Sequence, residues 1–297
     1  MSDEPYDRPP EHPPAGLVLV STPIGNLGDI TPRAASALRD ADLVLCEDTR
    51  ETARLIAALG LSARLESVNE HNEDGRIPMV LDRLRRGERV ALVSDAGTPL
   101  VSDPGYRLVR AALSEGLAVT AAPGANAALT ALVLSGLPPY PFLFLGFPPP
   151  RQAARLALFG RLRALERAGL CATLIFHEAP HRLAESLADM AQAFSGRPGA
   201  VARELTKRFE EVRRGGLDAL ARHYEAEPAK GEITVLVGPP LDGEVDEENL
   251  DGQLRDALRH ASVKDAAVLV AGATGLPRKL VYQRALALVR EGAREGT

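Results

Sequence analysis

The chain has 297 residues, 45% of them hydrophobic and 25% charged, which is the makeup of a globular protein with enough apolar mass for two domains of ordinary size. A net charge of −5 excludes a protein that is basic all over, the usual footprint of nucleic-acid binding, although local charge still counts. The longest apolar region, 121–147, is interrupted by Gly124, Asn126, Gly136, Pro138, Pro139 and Pro141, so no membrane span is expected and the protein is read as cytoplasmic.

Residues 1–14 are acidic and proline-rich and lack the basic-then-apolar pattern of a signal peptide, so a disordered leader is expected there. From Leu17 onward, short apolar runs alternate with segments of helical spacing. Strands are expected at 17–20, 43–46, 90–93 and 118–121, and helices at 32–39, 49–59, 77–86, 106–114 and 127–134. This βαβ series predicts a first α/β domain over 15–137 with a parallel sheet. A proline-rich connection follows, in which the apolar run 142–145 suits one strand. A second α/β domain over 138–240 is expected, with helices at 152–167, 182–194 and 217–224 and strands at 172–176, 199–202, 209–213 and 233–237. The acidic stretch 241–249 reads as a linker to a small helical tail, 241–297, with short helices at 254–259, 263–271 and 277–289. Cys46 and Cys171 lie in apolar runs and are expected to be buried free thiols.

The turns after the strands carry the chemistry. Arg89-Val-Ala-Leu-Val-Ser-Asp-Ala-Gly-Thr-Pro-Leu-Val-Ser-Asp-Pro-Gly105 runs from an apolar strand into a loop of small and polar residues, the place where open parallel sheets hold ligands. Asp103 before Pro104 reads as a helix cap, and Asp95 or Asp103 suits a ligand ammonium. Pro123-Gly-Ala-Asn126 repeats the layout after the next strand, with Asn126 equally fit as a cap. Glu47-Asp-Thr-Arg50 and Ala202-Arg-Glu-Leu-Thr-Lys207 place carboxylates and cations at two other strand ends, where ion pairing, hydroxyl orientation and phosphate binding remain open. The arginine clusters at 83–89, 151–167 and 203–214, each taken alone, read as solvated faces.

Two signatures are excluded. Gly25 and Gly28 lack the spacing of a dinucleotide-binding turn, and there is no Walker A lysine. His177-Glu-Ala-Pro-His181 formally matches a zinc-protease pattern, but it straddles a strand end and Pro180 opens a helix, so the two histidines do not share a helical face. No metal is expected.

Together, Ser21-Thr-Pro-Ile-Gly-Asn-Leu-Gly-Asp-Ile-Thr31, Glu47-Asp-Thr-Arg50, His71-Asn-Glu73, the 94–105 loop and Ala202–Lys207 resemble the cytidine 2′-O-methyltransferases of small-subunit ribosomal RNA, a branch of the tetrapyrrole methylase superfamily. The resemblance implies two α/β domains with a cleft for S-adenosylmethionine between them, a small C-terminal helical region, and usually a homodimer. The implied substrate is a ribose hydroxyl of 16S ribosomal RNA, in the small ribosomal subunit. It also implies cofactor contacts by Pro23, Ser94, Asp95, Ala96, Gly97, Asn126 and Ala127, and by His177 and Glu178 through backbone atoms. Glu47, Asp95 and His71 are candidate bases by residue type, with Lys207 a candidate stabiliser of developing charge. Arg50, Arg203, Lys207 and Arg208 are candidate RNA contacts. Two other readings stay open: a methylase of the same fold acting on a small tetrapyrrole or a protein side chain, and a non-catalytic RNA-binding module that includes Arg278, Lys279 and Arg284 of the tail.

Overall fold

A computed structural model describes residues 15–240, 247–274 and 278–295. The leader expected at 1–14 and residues 241–246 of the linker expected at 241–249 lie outside them, and 247–249 belong to a helix instead. The chain divides into two compact units, one formed by residues 1–131 together with 203–211, the other by 132–202 and 212–297.

The first unit is built on five strands: β1 (Gly16–Val20), β2 (Leu43–Cys46), β3 (Leu65–Ser67), β4 (Arg89–Val93) and β5 (Val119–Ala122). Their order is β3-β2-β4-β1-β5, and every recorded pairing is parallel. Between them run α1 (Pro32–Arg39), α2 (Thr49–Ala58), α3 (Glu73–Arg85) and α4 (Tyr106–Ser114), and α5 (Ala127–Ser135) follows β5. Strand residues alternate between two apolar clusters. Val18, Val20, Val44, Ala91 and Val93 pack with Ala37 and Leu38 of α1 and Ile56 of α2. Leu17, Leu43, Leu45, Val90 and Leu92 pack with Val80 and Leu84 of α3 and Leu108 and Ala112 of α4. Burying each such side chain contributes about 1.5–3 kcal/mol, which is why the strands read as uninterrupted apolar runs.

The chain leaves β1 toward one edge of the sheet and leaves β4 toward the other. Right-handed crossovers therefore put α1 and α2 on one face and α3 and α4 on the opposite face. β1 and β4 are neighbours, so the turns after them open at the topological switch point of the sheet.

The second unit holds a five-stranded sheet of order β6-β7-β10-β8-β9, formed by β6 (Phe142–Phe144), β7 (Thr173–Glu178), β8 (Pro198–Arg203), β9 (Glu211–Gly216) and β10 (Ile233–Val237). β6 pairs with β7 in parallel, and β10 pairs with β7 antiparallel. Its core gathers Leu174, Phe176, Val235 and Val237 against α6 (Gln152–Arg167), α7 (Leu183–Ala193) and α8 (Leu217–Ala226). Two fully buried arginines are matched at once: Arg197 meets Glu166 in a fork at 2.6 and 2.9 Å, and Arg155 meets Asp189 at 2.6–2.7 Å. Removing one member of such a pair strands a buried charge, so these pairs fix how α6, α7 and the sheet fit together. The tail forms α9 (Glu247–Leu258), α10 (Val263–Thr274) and α11 (Arg278–Glu295), joined by a small apolar core.

Several expectations need correction. Cys171 is exposed, because it lies before β7 rather than inside it, whereas Cys46 is buried as expected. Asp103 does not cap α4; that helix starts at Tyr106 from Gly105, whose φ of +118° lies in the region glycine tolerates best. α3 starts four residues earlier than periodicity indicates and carries Pro78 inside. β3 is an addition, a three-residue edge strand with charged neighbours and no alternation to announce it.

Gly105 offers a test of the turn that opens α4. A Cβ there would sit 2.5 Å from Leu92 Cδ2 in the core. Gly105→Ala is expected to lower unfolding stability by about 1–3 kcal/mol, read as a lower urea midpoint with an unchanged m-value.

Candidate functional site

The carboxyl ends of β1, β2, β4 and β5 carry a connected set of turns. The loops after β1 and β4 pair in both directions: the Thr22 N–H donates to Gly97 O at 2.8 Å and the Gly97 N–H donates to Thr22 O at 3.1 Å. The Thr22 hydroxyl donates to Ser94 O at 3.1 Å, and the Ser94 hydroxyl donates to Gly97 O at 3.1 Å. Thr98 Oγ1 then joins the turn after β5, donating to Ala125 O at 3.3 Å and accepting from Asn126 Nδ2 at 3.3 Å. Asn126 also caps α5, its Oδ1 accepting the Leu129 N–H at 3.0 Å. Gly97, at φ +85°, lets the 94–98 turn close, and a Cβ there would touch Ile24 Cγ2 at 3.4 Å.

The turn after β2 is tied in by acid groups. The Asp48 N–H donates to Asp95 Oδ1 at 3.1 Å. Asp48 itself caps α2 and holds Arg50, which donates from its backbone at 2.8 Å and from its guanidinium at 2.6 and 3.1 Å; these bonds keep the Asp48 carboxyl at about 2. Burial raises the Glu47 carboxyl above its ordinary value, and the nearby Asp95, Glu70 and Asp48 charges add to it. Asp103, half-buried, is pushed up to about 6 by desolvation and then by Glu47 and Asp95, with a Ser94 hydrogen bond opposing. A carboxylate-lined edge of this kind suits a cationic ligand. Among the described residues, the Glu47 carboxylate accepts no hydrogen bond, so both of its oxygens keep acceptor capacity.

Residues 203–211 return from the second sheet to complete this unit. Lys207 Nζ donates to Glu204 Oε1 at 2.9 Å, and the Lys207 stem lies over Gly25, where a Cβ would come within 2.3 Å of Lys207 Cγ. Arg203 pairs with Glu211 at 2.6 Å, and Arg208 lies over the ring of Phe209 at 5.6 Å. Among the described residues, four non-glycine positions take positive φ: Leu100 and Ser102 after β4, Glu204 and Thr206 here. Such strain, about 1–3 kcal/mol at each position, concentrates where a function over-determines the backbone.

Of the residues singled out by sequence, Pro23, Glu47, Arg50, His71, Ser94, Asp95, Ala96, Gly97, Asn126, Ala127, Arg203, Lys207 and Arg208 all belong to the first unit. His71 is exposed after β3, its N–H donating to Asn69 Oδ1. His177 and Glu178 end β7 in the second unit. His177 packs edge-on to Phe144 and tilted to Phe147, its Nδ1 lies 3.2 Å from Thr234 Oγ1, and burial lowers its pKa, so the ring is neutral near pH 7. The Glu178 carboxylate is used internally by the Ala179 N–H, Ser186 and Arg182. His181 lies on a separate short helical turn, which excludes the shared face a zinc site needs, and no metal-binding cluster occurs among the described residues. Sequence reasoning missed Thr22 and Thr98, whose hydroxyls join the turns; the matched Ser21-Thr-Pro and Gly97-Thr-Pro steps were the available signal.

Residues 16–221 match the family model for tetrapyrrole (corrin/porphyrin) methylases. The chain belongs to that family. Residues 244–289 match the model of the RsmI C-terminal HTH domain. A relative named ribosomal RNA small subunit methyltransferase I from Micromonospora olivasterospora is 47% identical over 281 residues, 93% of this chain and 88% of its own. A relative of the same name from Pseudomonas aeruginosa is 45% identical, covering 91% of this chain and 96% of its own. The fold is also that of uroporphyrin-III-C-methyltransferase from Thermus thermophilus, with TM-score 0.52 and 22% identity over 75% of this chain and 94% of that one. Diphthine synthase gives TM-score 0.58 and 16% identity, over 75% and 89%. The chain is a methyltransferase, and its methyl donor is S-adenosylmethionine. No helix among the described residues is long and apolar enough to cross a membrane.

Strain in the returning segment is measurable. Thr206 combines φ +66° with a buried hydroxyl that has no hydrogen-bond partner. Thr206→Gly is expected to raise unfolding stability by about 1–2 kcal/mol while lowering methyl transfer, a trade-off read by urea denaturation beside an activity assay.

Proposed function

We propose that this protein transfers a methyl group from S-adenosylmethionine to the ribose 2′-hydroxyl of a cytidine in 16S ribosomal RNA, acting in the cytoplasm on the small subunit as a homodimer. The observation that carries the reading is the cross-linked set of turns after β1, β4 and β5 beside the acidic end of β2, in a chain whose relatives bear that name over most of their length.

The residues present fit the cofactor. Gly97 permits close backbone approach, Ser94 and Thr98 hold the turn, and Asp95 with Asp103 gives the edge the negative charge that an ammonium and a sulfonium require. Pro23, Ala96, Asn126 and Ala127 line the same turns. His177 and Glu178, whose side chains are occupied within the second unit, have only main-chain atoms to offer a ligand. When bound, S-adenosylmethionine supplies a methyl group already activated by its sulfonium.

The protein then has two tasks, to align the ribose oxygen and to accept its proton. Alignment contributes several kcal/mol, because it replaces a chance encounter by a fixed line of approach. For the proton, Glu47 suits best: its carboxylate has free acceptor capacity, and burial beside other acids makes it a stronger base than an ordinary glutamate. Asp95 is committed to the Asp48 N–H and acts by position. Lys207, steadied by Glu204 over Gly25, offers an ammonium to oxyanion or phosphate with Arg208 beside it in sequence, while Arg50 and Arg203 reach RNA only by exchanging Asp48 and Glu211 for phosphate. His71, exposed at the start of α3, is a less favoured acceptor.

The function is tested with labelled cofactor and small ribosomal subunits from cells lacking the protein. The expected product is a ribose-methylated cytidine located by mass mapping; methyl on a nucleobase, a tetrapyrrole or a protein would overturn the reading. For the base, Glu47→Gln is expected to lower kcat by about 10²–10⁴ while cofactor affinity stays within about twofold. Because a raised pKa leaves more of the acid protonated as pH falls, the wild-type rate should drop on the acidic side and Glu47→Gln should lose that limb.

A further inference from the structure

Neither the turns nor their chemistry uses the helical tail. Within it, α11 buries Val281, Ala285 and Leu288 against Leu254 of α9 and Val270 of α10. Arg284 sits beside this seam and is taken by Asp251 in a two-pronged ion pair, one bond at 2.6 Å, so it holds the tail together and is withdrawn from any outside partner. The outward flank of α11 is different. Arg278, Lys279, Tyr282, Gln283 and Arg290 are exposed there, and no acidic residue occurs from 278 to 290. At 100° per residue, Arg278, Tyr282, Lys279, Arg290 and Gln283 fall within an arc of about 140°, centred about 120° around the helix from the buried seam, with Leu286 and Val289 set among them.

This face contrasts with the arginine run at the end of α3. On α3 the arginines are already neutralised: Arg83 by Glu88, Arg85 by Glu115, Arg86 by Asp82 and Glu88. On α11, among the described residues, Arg278, Lys279 and Arg290 have no acidic partner. A chain of net charge −5 thus carries a local stripe of one sign, with an aromatic ring and an amide set among the cations.

We infer that this face of α11 docks on the phosphate backbone of the RNA substrate, with Arg278, Lys279 and Arg290 pairing to phosphates and Tyr282 offering a surface for an unstacked base. The inference rests on the proposed methylation of ribosomal RNA. Phosphates are the partner that charge complementarity favours, since each neutralised phosphate releases counterions, and aromatic side chains between cations are the pattern that holds single-stranded segments. Three contacts of this kind anchor the substrate without reading its sequence, so they set affinity and leave the choice of nucleotide to the methyl-transfer site.

The test uses the full chain carrying Arg278→Gln, Lys279→Gln and Arg290→Gln together. Its affinity for S-adenosylmethionine, measured by calorimetry, serves as the folding control. Methyl transfer to small subunits should show KM raised about tenfold or more, with the loss in KM rather than in kcat. Binding to naked 16S ribosomal RNA should show a salt dependence shallower by about 2–3 in the log–log slope, one step for each lost phosphate contact. Tyr282→Ala alone should weaken RNA binding while Tyr282→Phe retains it. An unchanged KM and an unchanged slope overturn the inference. So does weakening confined to assembled subunits with naked RNA bound as before, which assigns the face to a ribosomal protein. If the wild-type protein transfers no methyl to RNA, the proposed function fails, and the salt slope on naked RNA still decides the fate of this face.

Discussion

The reciprocal backbone pairing of Thr22 and Gly97 is the contact on which the rest of the site depends. Two neighbouring strands of a parallel sheet release their chains in opposite directions, so the turns that follow them would otherwise splay apart. The pairing holds them together with two hydrogen bonds between groups that would be costly to leave unmet, since Thr22 and Gly97 are both buried. It requires a left-handed residue at Gly97, which explains the glycine between Ala96 and Thr98. Ser94, Thr98 and Asn126 extend the same lattice to the next strand, and Asp95 extends it to β2 through the Asp48 N–H.

Electrostatics at this edge follows from that geometry. Turns brought together at the ends of parallel strands also bring their carboxylates together, and desolvation, reinforced by their mutual repulsion, raises Glu47 and Asp103 while Arg50 keeps Asp48 ionised. The outcome is a division of labour among acids of similar type: one caps a helix, one ties two loops, and others stay available for protons or cations.

How far the sequence could be read varies with the kind of signal. α1, α4, α6, β2 and β10 stand where the sequence analysis expected them, because each has a clear apolar period bounded by a cap, a glycine or a proline. β3 escaped because three half-buried residues that follow Arg64 and carry Glu66 at their centre leave no alternation to detect. Asp103 looked like a helix cap because aspartate before proline usually is one; the structure instead spends two left-handed residues, Leu100 and Ser102, in carrying the chain past it to Gly105. Within the candidate site, motif residues were legible as types, but their connections were not: Thr98 bonding to Asn126 joins positions 28 apart, and Thr22 to Ser94 joins positions 72 apart. Side-chain bonds of that separation leave no local periodicity.

The return of residues 203–211 to the first unit also bears on how the protein is made. Synthesis delivers the five strands of the first sheet early, yet the segment that lays Lys207 across Gly25 emerges only after most of the second sheet has been translated. The first unit can collapse around its core as it leaves the ribosome but lacks its last segment until then. A nascent chain can thus bury the first core before the segment that completes the first unit has been made.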